Sequence, residues 1–163
     1  MLFLLFQMGD QRYVMDVRQI VAVLPLVTVR PMPLAPAGME GLVNYRGAPV
    51  PVIDMSRLTL GRASARRLST RLVLVDYPDD AGRTHLLGLI AERATRTVRH
   101  ERSEFVASGV SAAGASFLGP VANGADGLLQ WVDVQTLLPP SLRDVLFKES
   151  GDDRWGSPPS KSC

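Results

Sequence analysis

The chain has 163 residues, of which 46% are apolar and 21% charged, and its formal net charge is +2. These values are typical of one globular domain, or of two small halves that share a core, and they exclude a chain too polar to fold. Eighteen basic residues nearly balance sixteen acidic ones, so charge alone does not indicate a nucleic-acid-binding protein. The only cysteine is Cys163, which excludes an internal disulfide and suits a reducing cytoplasm.

The opening residues, MLFLLFQMGD, are apolar but predict neither a signal peptide nor a membrane segment. They lack a basic start and a small-residue cleavage site, and no window of the chain reaches membrane-spanning length. They predict a buried strand that begins at the first residue. We therefore expect a cytoplasmic protein without direct membrane insertion.

Short apolar runs rich in β-branched residues recur between Gly, Pro and Asp, as in all-β barrels and sandwiches. The predicted strands are LFLLFQ (2–7), QRYVMDV (11–17), IVAVLPLVTVRP (20–31), two strands within GLVNYRGAPVPVID (41–54), RLVLVDY (71–77), THLLGLI (84–90), ATRTVR (94–99), SFLGPVA (116–122) and GLLQWVDV (127–134). Two small barrels packed side by side over an apolar seam fit this pattern. A single larger sandwich is the alternative architecture.

Polar and helical segments separate the strands. Asp16 is a predicted N-cap of a helical turn, and Asp54 caps a short helix that Gly61 ends. The remaining predictions are a link between halves near 60–70, a mobile loop between Phe105 and Ala115, one or two short helices at 133–147, and a disordered tail at 148–163. Residues 1–147 are thus expected to form one domain.

Residues able to catalyse a reaction are sparse. His85 and His100 are the only histidines, and no HxH, HExxH or CxxC pattern accompanies them, so neither a metal nor another cofactor is expected. GVSAAG (109–114) has the wrong spacing for a nucleophile elbow, and no P-loop or GxGxxG string occurs. We expect no catalytic residues and no enzyme.

The most basic stretch of the chain is GRASARRLSTR, residues 61–71. Arg62, Arg66, Arg67 and Arg71 offer charges to a phosphate backbone. The stretch contains no aromatic residue to stack on bases, so a solvated basic linker is the expected structure. A basic nucleic-acid-binding module remains the alternative function, although we do not expect nucleic acid as the partner.

GLVNYRGAPVPVID, residues 41–54, predicts a strand, a turn and a second strand. Asn44 can bond the turn backbone and Gly47 can adopt a positive φ, so these two residues are expected to shape the bend. Turn chemistry does not require the large, charged Arg46 beside them. An exposed arginine on a rigid hairpin is a candidate anchor for a protein interface.

The same residues match the pattern G-x-x-N-x-R-G-x-x-x-P-V-[IV]-D, and over residues 1–147 the chain resembles CheW-like coupling domains. The flanking segments FQMGDQRYVMDVRQIVAVLPL, RLVLVDY, HLLGLIAERATRTV and GLLQWVDVQTLL match in the family's order. The resemblance implies two five-stranded SH3-like barrels around a hydrophobic seam, with short helices. It also implies a non-catalytic adaptor that joins the cytoplasmic tip of a chemoreceptor to the regulatory domain of a CheA-type histidine kinase.

The resemblance also implies which residues contact each partner. The receptor-binding residues carried over from the motif are Arg46, Asn44, Tyr45, Gly41 and Gly47. The kinase-binding residues, aligned with a V-x-E motif of the family, are Ile20, Val21 and Ala22. The family has an acidic residue at the position of Ala22, so a polar contact with the kinase at that position is not expected here.

Two segments point to a more particular pathway. LSTRLVLVDYP (68–78) and FVASGVSAAGASFLGPV (105–121) look similar to adaptors of alternative chemosensory systems, such as surface sensing with cyclic-di-GMP output. The resemblance implies recruitment to receptor arrays at the membrane and leaves self-association open. With no room for a kinase or a receiver domain, the chain is expected to be a stand-alone adaptor.

Overall fold

The computed structural model describes residues 1–109, 117–125 and 127–147, which form nine strands and two short α-helices. The strands are β1 (Leu2–Met8), β2 (Gln11–Asp16), β3 (Ile20–Pro25), β4 (Met39–Tyr45), β5 (Ala48–Asp54), β6 (Arg71–Pro78), β7 (Thr84–Arg99), β8 (Leu118–Gly124) and β9 (Gly127–Val132). The helices are α1 (Met55–Leu60) and α2 (Pro140–Leu146). No helix in the described part of the chain is long and apolar enough to cross a bilayer.

The strands form two five-stranded barrels that share β7. The first barrel has the strand order β7–β1–β2–β9–β8, and the second has the order β3–β6–β7–β5–β4. Residues 84–91 of β7 pair with β6 in the second barrel, whereas residues 92–99 pair with β1 in the first. One 16-residue strand therefore runs through both barrels.

Two isolated bridges bring the end strands of each barrel together. In the second barrel the N–H of Arg30 donates to the carbonyl of Leu42 at 2.8 Å, and the N–H of Leu42 donates back at 2.9 Å. In the first barrel Val106 and Val121 exchange hydrogen bonds of 2.8 and 2.9 Å. These bridges pair backbone groups that an open sheet edge would leave exposed.

Alternation of side chains along each strand produces three apolar clusters. The first barrel contains Phe3, Leu5, Val14 and Leu129. The second barrel contains Val43, Val50, Val52, Leu72, Leu74 and Ile90. The third and largest cluster lies between the barrels and takes residues from both, among them Leu4, Phe6, Ile53, Val73 and Val75. This last cluster is the predicted hydrophobic seam.

Aspartate side chains cap the short helical segments at the positions that the sequence predicts. Asp54 ends β5 and accepts hydrogen bonds from the N–H of Ser56 at 3.0 Å, the N–H of Ser64 at 2.9 Å and the hydroxyl of Ser64 at 2.6 Å. It therefore caps α1 and also holds the following loop. Asp16 caps a 3₁₀ turn, and Gly61, with φ of 73°, ends α1.

The prediction of an all-β fold with two five-stranded barrels is confirmed, but the chain is divided differently between them. β1 and β2 belong to the first barrel, whereas β3, β4, β5 and β6 belong to the second. The barrels are therefore not consecutive halves of the chain. Residues 60–70, predicted to link two halves, lead from α1 to β6 within the second barrel.

The strands predicted at 84–90 and 94–99 are one continuous strand, β7. A bulge near Arg93 interrupts its pairing with β1 and also interrupts the apolar pattern, which explains why the sequence suggests a break. The predicted tail at 148–163 lies outside the described residues, as do residues 110–115 of the predicted loop and residue 116 of the predicted strand at 116–122.

Candidate functional site

A tight hairpin joins β4 to β5 and contains most of the predicted receptor-binding residues. Tyr45 pairs with Ala48, so Arg46 and Gly47 alone form the turn. Their φ angles are 50° and 86°, the positive values that a type I′ turn requires. The side-chain oxygen of Asn44 accepts a hydrogen bond from the N–H of Gly47 at 2.8 Å. The predicted role of Asn44 and Gly47 in shaping the bend is confirmed.

Arg46 occupies a turn position that favours asparagine, aspartate or glycine. A non-glycine residue in the left-handed region loses about 1 kcal/mol relative to its preferred conformation. The exposed guanidinium has its central carbon 5.3 Å from the centroid of the Tyr45 ring, which is a cation–π distance. The turn would form more easily with another residue, so the backbone does not account for the arginine.

Gly41 belongs to the same motif but is buried at the other end of β4. Its φ is 144°, and a Cβ placed on it would lie 1.9 Å from the carbonyl oxygen of Arg30. Arg30 forms the bridge that closes the second barrel, so the glycine allows two backbones to approach closely. The structure places Gly41 behind the surface rather than on it.

A cavity of about 330 Å³ lies beside the hairpin. Its lining residues are Thr28, Arg30, Leu42, Val43, Asn44, Gly47 and Pro49. The cavity brings the motif residues Asn44 and Gly47 next to a second cationic residue, Arg30. Arg30 has no signature in the sequence, because its place beside β4 depends on a non-local backbone pairing that no local pattern reveals.

The three predicted kinase-binding residues lie on β3, which pairs with β6 along one side. The register shifts between Ile20 and Ala22, so the intervening Val21 is displaced outward and is 44% exposed. Ile20 packs against the seam and Ala22 against the core of the second barrel. Val23, which the sequence did not single out, is 43% exposed on the same strand. Only Val21 of the predicted three projects substantially into solvent.

Both histidines are engaged in hydrogen bonds with carboxylates. His85 Nε2 lies 2.7 Å from the carboxylate of Asp79, and His100 Nδ1 lies 2.7 Å from that of Glu104. Residues 1–109, 117–125 and 127–147 contain no group of three or more His, Cys, Asp or Glu side chains that could hold a metal ion. Each histidine is therefore paired with a carboxylate close to it in the chain.

The Asp79–His85 pair predicts a specific response to acid. The hydrogen bond from His85, with those from the N–H groups of Arg83 and Ala81, lowers the pKa of Asp79 below its ordinary value of 3.8. The ionised carboxylate therefore stabilises the fold fully above the ordinary pKa, and this contribution is lost as the pH falls through the lowered pKa.

We expect Asp79→Asn to lose less stability than the original chain between about pH 5 and pH 2. Urea unfolding at a series of pH values measures the difference. Asp76→Asn is the matched control because the Asp76 side chain is exposed on β6. Equal acid sensitivity in the original chain and in Asp79→Asn would contradict the assignment.

A comparison with solved structures identifies the fold. The structure aligns with the scaffolding protein TtCheW from Thermoanaerobacter tengcongensis with a TM-score of 0.74 and 18% sequence identity. The alignment covers 86% of this chain and 89% of that one. At this level of identity the match establishes a shared fold, the double barrel described above.

Sequence comparisons then give the family. The model of the CheW-like domain matches residues 2–140. The chemotaxis protein CheW of Treponema pallidum is 27% identical over 138 residues, which cover 81% of this chain and 78% of that protein. CheW of Rhizobium meliloti is 31% identical over 70 residues, 43% of this chain and 44% of that protein. The chain belongs to the CheW-like domain family.

Membership of this family settles the broad function. CheW-like proteins are non-catalytic scaffolds of chemotaxis signalling, and this chain is such an adaptor. The expectation that the chain is not an enzyme is therefore confirmed.

Proposed function

We propose that the chain couples the cytoplasmic tip of a chemoreceptor to the regulatory domain of a CheA-type histidine kinase, through two surfaces of its second barrel. Its family supports an adaptor role. The observation that carries the proposal is the hairpin that holds the Arg46 guanidinium exposed at a backbone angle unfavourable for arginine. The complex assembles in the cytoplasm, where the receptor recruits it to arrays at the membrane.

The receptor-binding surface consists of Arg46, Tyr45 and Asn44 together with the adjoining cavity. A guanidinium forms paired hydrogen bonds with a carboxylate, so the partner presents an acidic side chain beside apolar ones. The Tyr45 ring supports the guanidinium from one side. Gly47 and Gly41 act through the backbone, since one permits the turn and the other holds β4 in place.

The kinase-binding surface is the exposed face of β3. Val21 and Val23 provide an apolar strip, while Ile20 and Ala22 fix the strand from the inner side. Because alanine replaces the family's acidic residue, we infer that this contact is apolar rather than charged. A partner with a complementary apolar face would bury the two valines.

Val21→Asp is expected to weaken binding of the kinase regulatory domain at least tenfold, because it places a charge in an apolar interface. The half-exposed position should keep the change in folding stability within about 1 kcal/mol. Val145→Asp is the matched control, since Val145 is 53% exposed on α2. Fluorescence anisotropy with the purified kinase domain measures the affinity. An equal effect of both variants would exclude β3 as the specific contact.

The proposal as a whole is tested by reconstitution. The purified chain is mixed with the kinase regulatory domain and with a receptor fragment encoded in the same gene cluster, separately and together. We expect both binary complexes and a ternary complex by size-exclusion chromatography with light scattering. The same measurement on the chain alone reports self-association. Failure to bind either protein would overturn the adaptor assignment for these partners.

We further propose that the output is an alternative chemosensory pathway, such as surface sensing with cyclic-di-GMP production. The support is the similarity of residues 68–78 and 105–121 to adaptors of such systems. Deletion of the gene should reduce the rise in cyclic-di-GMP after cells contact a surface, and the intact gene should restore it. Impaired swimming chemotaxis with an unchanged surface response would assign the chain to the motility pathway instead.

A further inference from the structure

An arginine-lined groove lies where β1 and β7 pass the 61–70 loop. Two cavities of about 370 and 270 Å³ form it, and they share Gln7 and Arg93 as lining residues. The cationic residues on which the inference rests are Arg62, Arg67, Arg93 and Arg96. We call this concavity the arginine groove. It involves none of the residues assigned above to the receptor or the kinase.

The charge of the groove is poorly balanced. None of its four named arginines has a carboxylate partner within ion-pair distance among the described residues. Two carboxylates also line it, those of Asp10 and Glu92. Glu92 already accepts a hydrogen bond from the N–H of Ala65 at 2.6 Å. The groove therefore carries excess positive charge in a concave setting, which attracts anions.

Arg93 is held in the groove by a strained backbone. Between the pairs Leu5–Arg96 and Gln7–Glu92, β7 contains two more residues than β1 and forms a bulge. Arg93 lies in this bulge with φ of 52°, a conformation that costs a residue with a side chain about 1 kcal/mol. Bulges redirect side chains at binding sites, and local strain is common where a side chain has a function.

Hydroxyl groups lie among the arginines. Ser69 and Thr95 line the smaller cavity. Ser56 lines the larger one and is only 2% exposed, and its hydroxyl has no hydrogen-bond partner in the part of the chain that the structure describes. A buried hydroxyl without a partner is unusual in a folded protein, because it loses its hydrogen bonds to water. A ligand oxygen would supply the missing acceptor.

We propose that the arginine groove binds a small polyphosphate anion, such as the phosphates of a free nucleotide. Guanidinium groups form paired hydrogen bonds with phosphate oxygens, and hydroxyls donate to the remaining oxygens. The cavity volumes suit a compact ligand. Among the residues that the structure describes, no aromatic side chain lines either cavity, so they provide no platform on which the bases of single-stranded nucleic acid would stack. The proposal adds a ligand to the scaffold, independently of its protein partners.

Isothermal titration of the full chain with inorganic tripolyphosphate at about 0.15 M salt tests the proposal. We expect saturable one-to-one binding with a Kd below about 1 mM. Arg93→Asn should weaken it at least tenfold without loss of folding stability, because asparagine tolerates a positive φ. Arg62→Ala should weaken it similarly. Arg102→Gln is the control and should bind as before, since Arg102 is exposed after β7 and lines neither cavity.

Four results would overturn the proposal. The first is the absence of saturable binding up to about 10 mM tripolyphosphate, which would leave only diffuse attraction between charges. The second is an equal loss in Arg102→Gln and Arg93→Asn, which would show that net charge alone matters. The third is tighter binding of duplex DNA with the same dependence on Arg93, which would assign the groove to nucleic acid. Retained binding in Arg93→Asn likewise removes the site.

Discussion

Arg46→Asn is expected to weaken receptor binding at least tenfold while leaving the protein as stable as before, or slightly more stable. Asparagine is favoured at the first central position of a type I′ turn, so it relieves the strain that Arg46 bears at φ of 50°. This gain offsets the loss of the contact with Tyr45, which is worth about 0.5–1 kcal/mol at an exposed site. Binding falls because the guanidinium that pairs with the receptor is removed.

Thermal unfolding and titration with the receptor fragment measure the two effects independently. Arg66→Asn is the control for general loss of positive charge, because Arg66 is exposed in the 61–70 loop. Arg46→Lys keeps the charge but loses the planar group, so it should bind with intermediate affinity. A large fall in melting temperature for Arg46→Asn would show that the arginine stabilises the hairpin, and unchanged binding would remove it from the receptor surface.

Gly41→Ala is expected to destabilise the fold by about 3 kcal/mol or more, the range of severe single substitutions. The new methyl group would stand 1.9 Å from the carbonyl oxygen of Arg30, and both atoms belong to regions fixed by backbone pairing. This clash is relieved only if β4 moves away from Arg30. That movement breaks the bridge between Arg30 and Leu42 and opens the second barrel.

Gly47→Ala separates the effect of a steric clash on stability from the effect of a positive φ angle. Gly47 also has a positive φ, 86°, but a Cβ placed on it meets no atom within 4 Å. Gly47→Ala should therefore lower the folding stability by only about 1 kcal/mol, which is the conformational penalty alone. Urea unfolding followed by circular dichroism measures both variants. Similar stabilities for Gly41→Ala and Gly47→Ala would show that the approach of β4 to Arg30 is not tight enough to exclude a side chain.

The sequence predicts the parts of this fold that depend on nearby residues. Asp54 and Gly61 mark the ends of α1 because capping uses side chains within a few positions. Alternation along β5 also depends on neighbouring positions, and it places Val50 and Val52 in the core of the second barrel and Ile53 in the seam. The assignment of strands to barrels depends on pairing between distant segments. The interleaving of the barrels and the continuity of β7 therefore emerge only in three dimensions.

The same distinction applies to the candidate sites. Asn44 and Gly47 could be assigned to the turn because their contact is local. The strain at Arg46 and Arg93 could not be foreseen, since arginine has no preference for a positive φ. Gly41 was expected at the receptor surface from its place in the motif. Glycine is required there because the backbone of Arg30, eleven positions earlier, leaves no room for a side chain. Close approach of two backbones leaves no signature in a single sequence.

The sharing of β7 has a consequence for the integrity of the molecule. A cut anywhere in the 61–70 loop would leave one fragment with β1 to β5 and another with β6 to β9, and neither would possess a complete set of neighbours for any barrel. Each fragment would expose long unpaired edges and half of the seam. The two barrels are thus not separate modules. Neither barrel can be moved to another protein, deleted or redesigned without changing the other. A scaffold built this way responds to its partners as a single body.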